Sequence, residues 1–272
     1  MEDLTAFARL VTALRPWLGD LVLVGGWAHR LHRFHPLARP PVHLPLRTRD
    51  ADLAFAGEAV LRGSMGLALR EAGFREELFG EDAPAAAHYR LGDEDAGFYA
   101  EFLTPLRGAG LKRDGALDAT VSKAGITAQK LRYVDLLLLC SWSVHVGAGV
   151  GVPIAADIDV RVPNPVAFII QKLLIHSERN VLKKAQDILY IHDTLELFGA
   201  SLEELRRLWV EQLRPAMPAK TARRAVAAAK AAFEGVTDAI REAARMPQDR
   251  RPEAGHIRLA CQYGLGEILA PR

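Results

Sequence analysis

The segment RTRDADLAF, residues 47–55, carries two aspartates one residue apart in an otherwise apolar run. Side chains alternate along a strand, so Asp50 and Asp52 share one face and Ala51 takes the other. Two carboxylates rooted about 6–7 Å apart repel each other. A hard divalent cation with oxygen ligands relieves that repulsion, and Mg²⁺ in particular binds through a few carboxylates plus substrate phosphates. Read alone, the pair also fits a solvent-facing strand edge with two unrelated acids. Upstream, VLVGGWAHRLH (residues 22–32) runs from a short apolar strand into Gly25-Gly26 and a helix. Glycine lets backbone amides approach a phosphate, and a helix start favours negative charge; a plain tight turn is the simpler use of the same residues. The dinucleotide fingerprint G-x-G-x-x-G is not supplied by GGWAHR. A third acid, Glu101, lies in GFYAEFL with Phe98 and Phe102 on either side. An acid inside an apolar strand needs a partner or an exposed position at a site. Three carboxylates from two adjacent strands, facing a phosphate-binding turn, make a two-metal phosphoryl-transfer site.

The elements that must position these residues are legible in the apolar pattern. Leu4, Phe7, Leu10, Val11, Leu14 and Leu18 recur at helical spacing over residues 2–18. DLVLV and RDADLAFA read as strands, and HPLARPPVHLPL, with four prolines, as a loop or extended arm. A helix is predicted over 58–72, then two strands, AAAHYRLGD and GFYAEFLTP, joined by an acidic turn. LRYVDLLLLCSW reads as a helix, with Tyr133 and Trp142 as core, and VGVPIAADIDVRVP as a strand stopped by Pro163 and Pro165. PVAFIIQKLLIHSERN opens a helix with proline in its first turn, and everything after Ser201 reads as helix. Val226, Phe233 and Ile240 recur every seven residues among alanines, which predicts a close helix-packing seam. The order gives an α+β protein: a mixed sheet flanked by helices over 1–162, followed by a helical domain over 163–272.

Composition narrows the classes. Half of the 272 residues are apolar and a quarter charged, as in ordinary globular proteins. The N-terminal MEDLTAF lacks the basic-then-apolar layout of a signal peptide. No apolar run reaches the roughly 20 residues of a membrane span, so no membrane partner is expected. Two cysteines, Cys140 and Cys261, argue against a disulfide scaffold and fit a reducing, cytoplasmic setting. The net charge is +2, but residues 201–272 hold 13 Lys+Arg against 9 Asp+Glu. Such a surplus is compatible with a polyanion such as RNA and equally with a solvated helix surface.

The pattern Val24-Gly25-Gly26, Asp50-Ala51-Asp52 and Glu101 resembles the nucleotidyltransferase superfamily, of DNA polymerase β-like fold. GGWA followed by RTRDADLAF is similar to a small bacterial branch that includes abortive-infection-type nucleotidyltransferases; the spacing Arg47, Thr48, Arg49 before Asp50 differs slightly from that branch's commonest form. The resemblance covers residues 20–105. It implies transfer of a nucleoside monophosphate from a nucleoside triphosphate to an acceptor hydroxyl on RNA, protein or a small molecule, with loss of pyrophosphate. It implies Mg²⁺ or Mn²⁺ held by Asp50, Asp52 and Glu101, a triphosphate on Gly25 and Gly26, and a possible antitoxin partner. Within 163–199 a lysine-bearing helix precedes an aspartate-bearing one, which places Lys172 and Asp187 as nucleotide-binding residues. The competing reading is a non-catalytic nucleotide- or partner-binding module that keeps the fold.

Other residues weigh less. Asp157 and Asp159 repeat the Asp-x-Asp spacing, but prolines end their strand and no third acid follows on another strand, so they read as an exposed strand face. His29 and His32 are three apart with metal-like spacing, yet fit a partly exposed helix face. Trp27 fits burial against the sheet better than base stacking. Lys172 sits among apolar neighbours, so its head must reach water, an acid or a phosphate.

Overall fold

The computed structural model describes residues 3–80, 84–93, 97–112 and 115–270. They fall into two compact units, Met1–Phe34 with Arg47–Pro163 and His35–Leu46 with Asn164–Arg272.

The first unit runs α1 (Asp3–Ala13), β1 (Val22–Val24), α2 (Gly25–Leu31), β2 (Asp50–Ala54), α3 (Met65–Glu71), β3 (Arg75–Phe79), β4 (Ala86–Leu91), β5 (Phe98–Pro105), β6 (Thr120–Lys123), β7 (Ile126–Leu131), α4 (Val134–Leu138), β8 (Trp142–Val146) and β9 (Ile158–Val162). The strands form one mixed sheet in the order β3-β4-β5-β2-β1-β9-β8, with β7 also pairing β5 and β6. β2 and β5 are parallel neighbours, while β1 lies antiparallel to β2. The alternation in β5 is clean: Phe98, Ala100 and Phe102 are buried, Tyr99 and Glu101 half-buried. Its buried face meets Trp27 of α2, edge-on to Phe98 at 5.8 Å and stacked at 4.0 Å on Phe7 of α1. On the opposite face Val22, Val24, Ala54 and Leu103 pack with Val134 and Leu137 of α4. The sheet is therefore covered on both faces, and one end of the α4 face is left for polar residues.

The second unit begins with the proline-rich arm, residues 35–46, which forms no helix or strand. Backbone and side-chain bonds fasten it: Arg39 N to Leu197 O at 2.8 Å, Ser201 Oγ to Leu37 O at 3.3 Å and Leu44 N to an Asp249 carboxylate oxygen at 2.6 Å. Then follow α5 (Pro165–Ile175), α6 (Val181–Leu197), α7 (Leu202–Arg207), a π-helical stretch (Leu208–Leu213), α8 (Arg214–Ala216), α9 (Ala219–Ala232), α10 (Asp238–Arg245) and α11 (Ala254–Leu269). Asn164 caps α5 by accepting from Ala167 N at 2.9 Å, and Pro165 opens it. α6 is buried almost all round from Ala185 to Leu195 and packs against α5, α10 and α11, as a central helix must.

Three helix expectations are corrected. Residues 58–72 are helical only from Met65, where Ser64 supplies the cap. LRYVDLLLLCSW is not one helix: left-handed backbone at Tyr133 (φ 64°) and Cys140 (φ 49°) breaks it, and Trp142 opens β8. Tyr133 and Trp142 are half-buried rather than core. The acidic turn before β5 falls partly on residues 94–96, outside the described residues. The seven-residue seam does not form either. α9 ends at Ala232, Val226 is 42 % exposed, and the buried stripe of α9 is Ala222, Ala225 and Ala229. Phe233 and Ile240 are buried on either side of the break. Phe233→Ala should thus destabilise the chain by about 3–5 kcal/mol, while Val226→Ala should change stability by less than about 0.5 kcal/mol. Chemical denaturation of the two variants measures this, and equal losses would restore the seam.

Candidate active site

The geometry of the acids follows from strand register. In the parallel β2–β5 pair, Asp50 lies opposite Tyr99 and Asp52 directly opposite Glu101. Registered partners on neighbouring strands point to the same face, with strands about 4.8 Å apart. Asp50, Asp52 and Glu101 therefore share one face of the sheet. Asp50 is exposed and the other two half-buried. β1 supplies the fourth component, because Val24 pairs with Asp52 and hands the chain to Gly25. Gly25 has φ 62°, and a β-carbon there would come within 2.1 Å of Asp52 Oδ2. The Asp52 carboxylate thus lies against a backbone that only glycine can provide. Gly26 continues the first turn of α2 and is buried.

The sequence reading missed the neighbours of Glu101. Gln129 Nε2 donates to Glu101 Oε2 at 3.4 Å, and His88 stands opposite Glu101 on β4. His88 Nε2 is 2.6 Å from Glu77 Oε2, and Glu77 is also bonded by Arg90. The two strand-interior polar positions, His88 and Arg90, alternate with buried Ala87, Tyr89 and Leu91. That alternation was the available signal. Arg47, ahead of β2, is tied to Asp3 through Nε at 2.6 Å and Nη2 at 3.2 Å. This hydrogen bond holds the Asp3 carboxyl below the usual carboxylate range against the opposing effect of partial burial.

Lys172 and Asp187 come together inside the second unit. Lys172 Nζ is 3.1 Å from Asp187 Oδ1, both almost fully buried, and stands over the Phe168 and Tyr190 rings at 5.5 and 5.3 Å. Arg179 Nε reaches Asp187 Oδ2 at 3.2 Å without hydrogen-bond alignment. The lysine head has found an acid, as its apolar surroundings require.

The remaining candidates separate clearly. Asp157 and Asp159 are exposed, and His145 on β8 bridges them, with Nε2 and Nδ1 each at 3.0 Å. Bonds to Asp159 first and Asp157 second hold the His145 pKa above its ordinary value. His29 and His32 are buried, not on a partly exposed helix face. His32, just past α2, bonds Pro163 O through Nε2 at 2.7 Å, so its ring is held inward on a backbone acceptor. Among the described residues, one His/acid cluster has ligand atoms close enough to hold an ion: His43, Asp193 and Glu196 in the second unit. It already contains a cation. Arg250 donates to His43 Nδ1 and, at 2.5 Å, to Asp193 Oδ2, while His43 Nε2 donates to Glu196 at 2.8 Å.

The chain folds as a mixed sheet flanked by helices with a helical C-terminal region, and its class is that of a nucleotidyltransferase. A nucleotidyltransferase family model matches residues 2–214, and the chain belongs to that family. Comparison with curated proteins finds no match. Among the described residues no helix is long and apolar enough to cross a membrane.

The contact between Gly25 and Asp52 is testable. Gly25→Ala should cost the positive-φ penalty of about 1–2 kcal/mol and a further loss from displacing the Asp52 carboxylate. In an Asp52→Ala background only the φ penalty should remain. Equal costs of Gly25→Ala in both backgrounds, read by denaturant melts, would show that the two residues do not meet.

Proposed function

We propose that this enzyme moves a nucleoside monophosphate from a nucleoside triphosphate to an acceptor hydroxyl at the Asp50–Asp52–Glu101 face. The observation that carries the reading is the direct pairing of Asp52 with Glu101, two residues from Asp50 on the same face. Three carboxylates form an all-oxygen donor set, which fits a hard divalent cation, and the missing side chain of Gly25 lets the Asp52 carboxylate lie against the backbone at the start of α2. Asp50, Asp52 and Glu101 would hold Mg²⁺ or Mn²⁺, whose charge would offset that of the triphosphate and of the departing pyrophosphate.

The chain's own residues then have separate tasks. Gly25 and Gly26 bring backbone to the triphosphate without a side chain in the way. The acceptor oxygen attacks the α-phosphorus, the bond to the bridging oxygen breaks, and pyrophosphate leaves with the electron pair. Glu101 takes the proton of the acceptor hydroxyl, with Gln129 fixing the carboxylate's orientation. Positioning and charge stabilisation supply most of the acceleration in phosphoryl chemistry.

Asp52→Asn is nearly isosteric, so the fold should survive while transfer of α-labelled nucleotide with Mg²⁺ falls by about 10²-fold or more. Asp157→Asn/Asp159→Asn should transfer at the parent rate. Full activity in Asp50→Asn/Asp52→Asn would overturn the assignment. The buried pair enters the same reading as a nucleotide-binding element, Lys172 being the contact and Asp187 the residue that orients it. Lys172→Met keeps the packing of the stem, and should weaken triphosphate affinity by about 1–3 kcal/mol. Unchanged affinity with altered stability would make the pair a packing feature of the helical unit.

A further inference from the structure

The second unit contains a cavity of about 580 Å³ that the proposed chemistry does not use. Its floor is Leu173 and Leu174 of α5, and one wall is a patch of α9 alanines. Its polar lining is one-signed: His176, Lys184 and Arg224, with the hydroxyls of Ser177 and Thr237, and no carboxylate among the lining residues. Lys184 makes no ion pair among the described residues, and His176 Nδ1 is buried without a hydrogen-bond partner. The acid behind them, Asp187, is engaged by Lys172 and Arg179. A concave apolar site with a few convergent polar groups is the usual form of a small-ligand pocket, and this volume lies inside the common range of about 300–1,000 Å³.

We propose that this cavity binds a small organic phosphate monoester, with Lys184, Arg224 and His176 on the phosphate and the alanine wall against the organic body. A phosphate matches the donors better than a carboxylate does. An ammonium, a guanidinium fork, an imidazole and two hydroxyls exceed what two carboxylate oxygens can accept, whereas a monoester offers three terminal oxygens. The β-carbons of α9 present a low-relief apolar surface that a flat ring can cover. α9 and α10, which supply half its walls, lie beyond the residues 2–214 that the family model matches. Burial, and then the nearby Lys184 and Arg179 cations, hold the His176 pKa below its ordinary value, with Asp187 opposing. A bound dianion beside His176 reverses that balance and raises its pKa.

The test is a titration of the full chain in metal-free buffer, followed by NMR at the His176 ring and the α9 alanine methyls. The probes are adenosine 5′-monophosphate, phenyl phosphate, adenosine and inorganic phosphate. At least one of the two monoesters should give saturable shifts at these groups and raise the His176 titration midpoint. The tighter of the two shows whether the natural body is a nucleoside or a simpler ring. Lys184→Gln/Arg224→Gln replaces one half-buried and one exposed side chain and should keep the helical circular dichroism while weakening monoester binding at least tenfold. Adenosine or inorganic phosphate binding as tightly as the monoesters, undiminished binding in the double variant, or no shift at His176 would each overturn the proposal.

Discussion

Like charge held side by side is the constraint on which the first unit turns. Asp52 and Glu101 occupy directly paired positions on parallel strands, with Asp50 on the same face. Left to themselves, carboxylates at this spacing favour separation or protonation. The sheet forbids separation, because moving either acid means slipping a strand by one residue and turning its apolar set outward. Ala51, Leu53, Ala100 and Phe102 are each essentially fully buried on the other face, so that slip would cost far more than the repulsion. Burial on one face thus fixes charge on the other.

Several other acid groups meet cations within the chain. Asp187 has Lys172 and Arg179, Asp193 has Arg250, and the Asp157–Asp159 pair has His145. The buried ones satisfy the general requirement that an interior charge be matched. At the Asp52–Glu101 pair the amide of Gln129 donates a hydrogen bond to Glu101. Under the proposed reading a metal ion is bound at that face with the nucleotide.

The helical unit is built on a different principle. α6 is enclosed almost all round, and its buried carboxylates Asp187 and Asp193 meet Lys172 and Arg250 from other segments. The arm at residues 35–46 is held on it by bonds to Leu197, Ser201, Asp249 and Arg250, so a proline-rich stretch with no regular structure still has defined partners. That arrangement explains why the chain leaves the sheet unit at Phe34 and returns to it at Arg47.

The sequence by itself determined the short-range geometry. Alternation placed Asp50 and Asp52 on one face, proline marked the start of α5, and Gly25-Gly26 marked the junction of β1 and α2, because each signal is carried within a few residues. The left-handed residues Tyr133 and Cys140, which break the predicted helix, have side chains that give no local sign of that backbone. His29 and His32 read as a half-exposed pair because a seven-residue helix shows too little pattern to reveal that a sheet and the Pro163 carbonyl lie on its histidine side. Val226 kept the seven-residue spacing, but the helix that would have continued it ends at Ala232. Only the tertiary structure decided that Asp52 lies opposite Glu101, that its carboxylate rests on Gly25, and that Lys172 meets Asp187. Those contacts join residues far apart in the chain, and they are selected by the burial of whole faces, which local spacing does not encode.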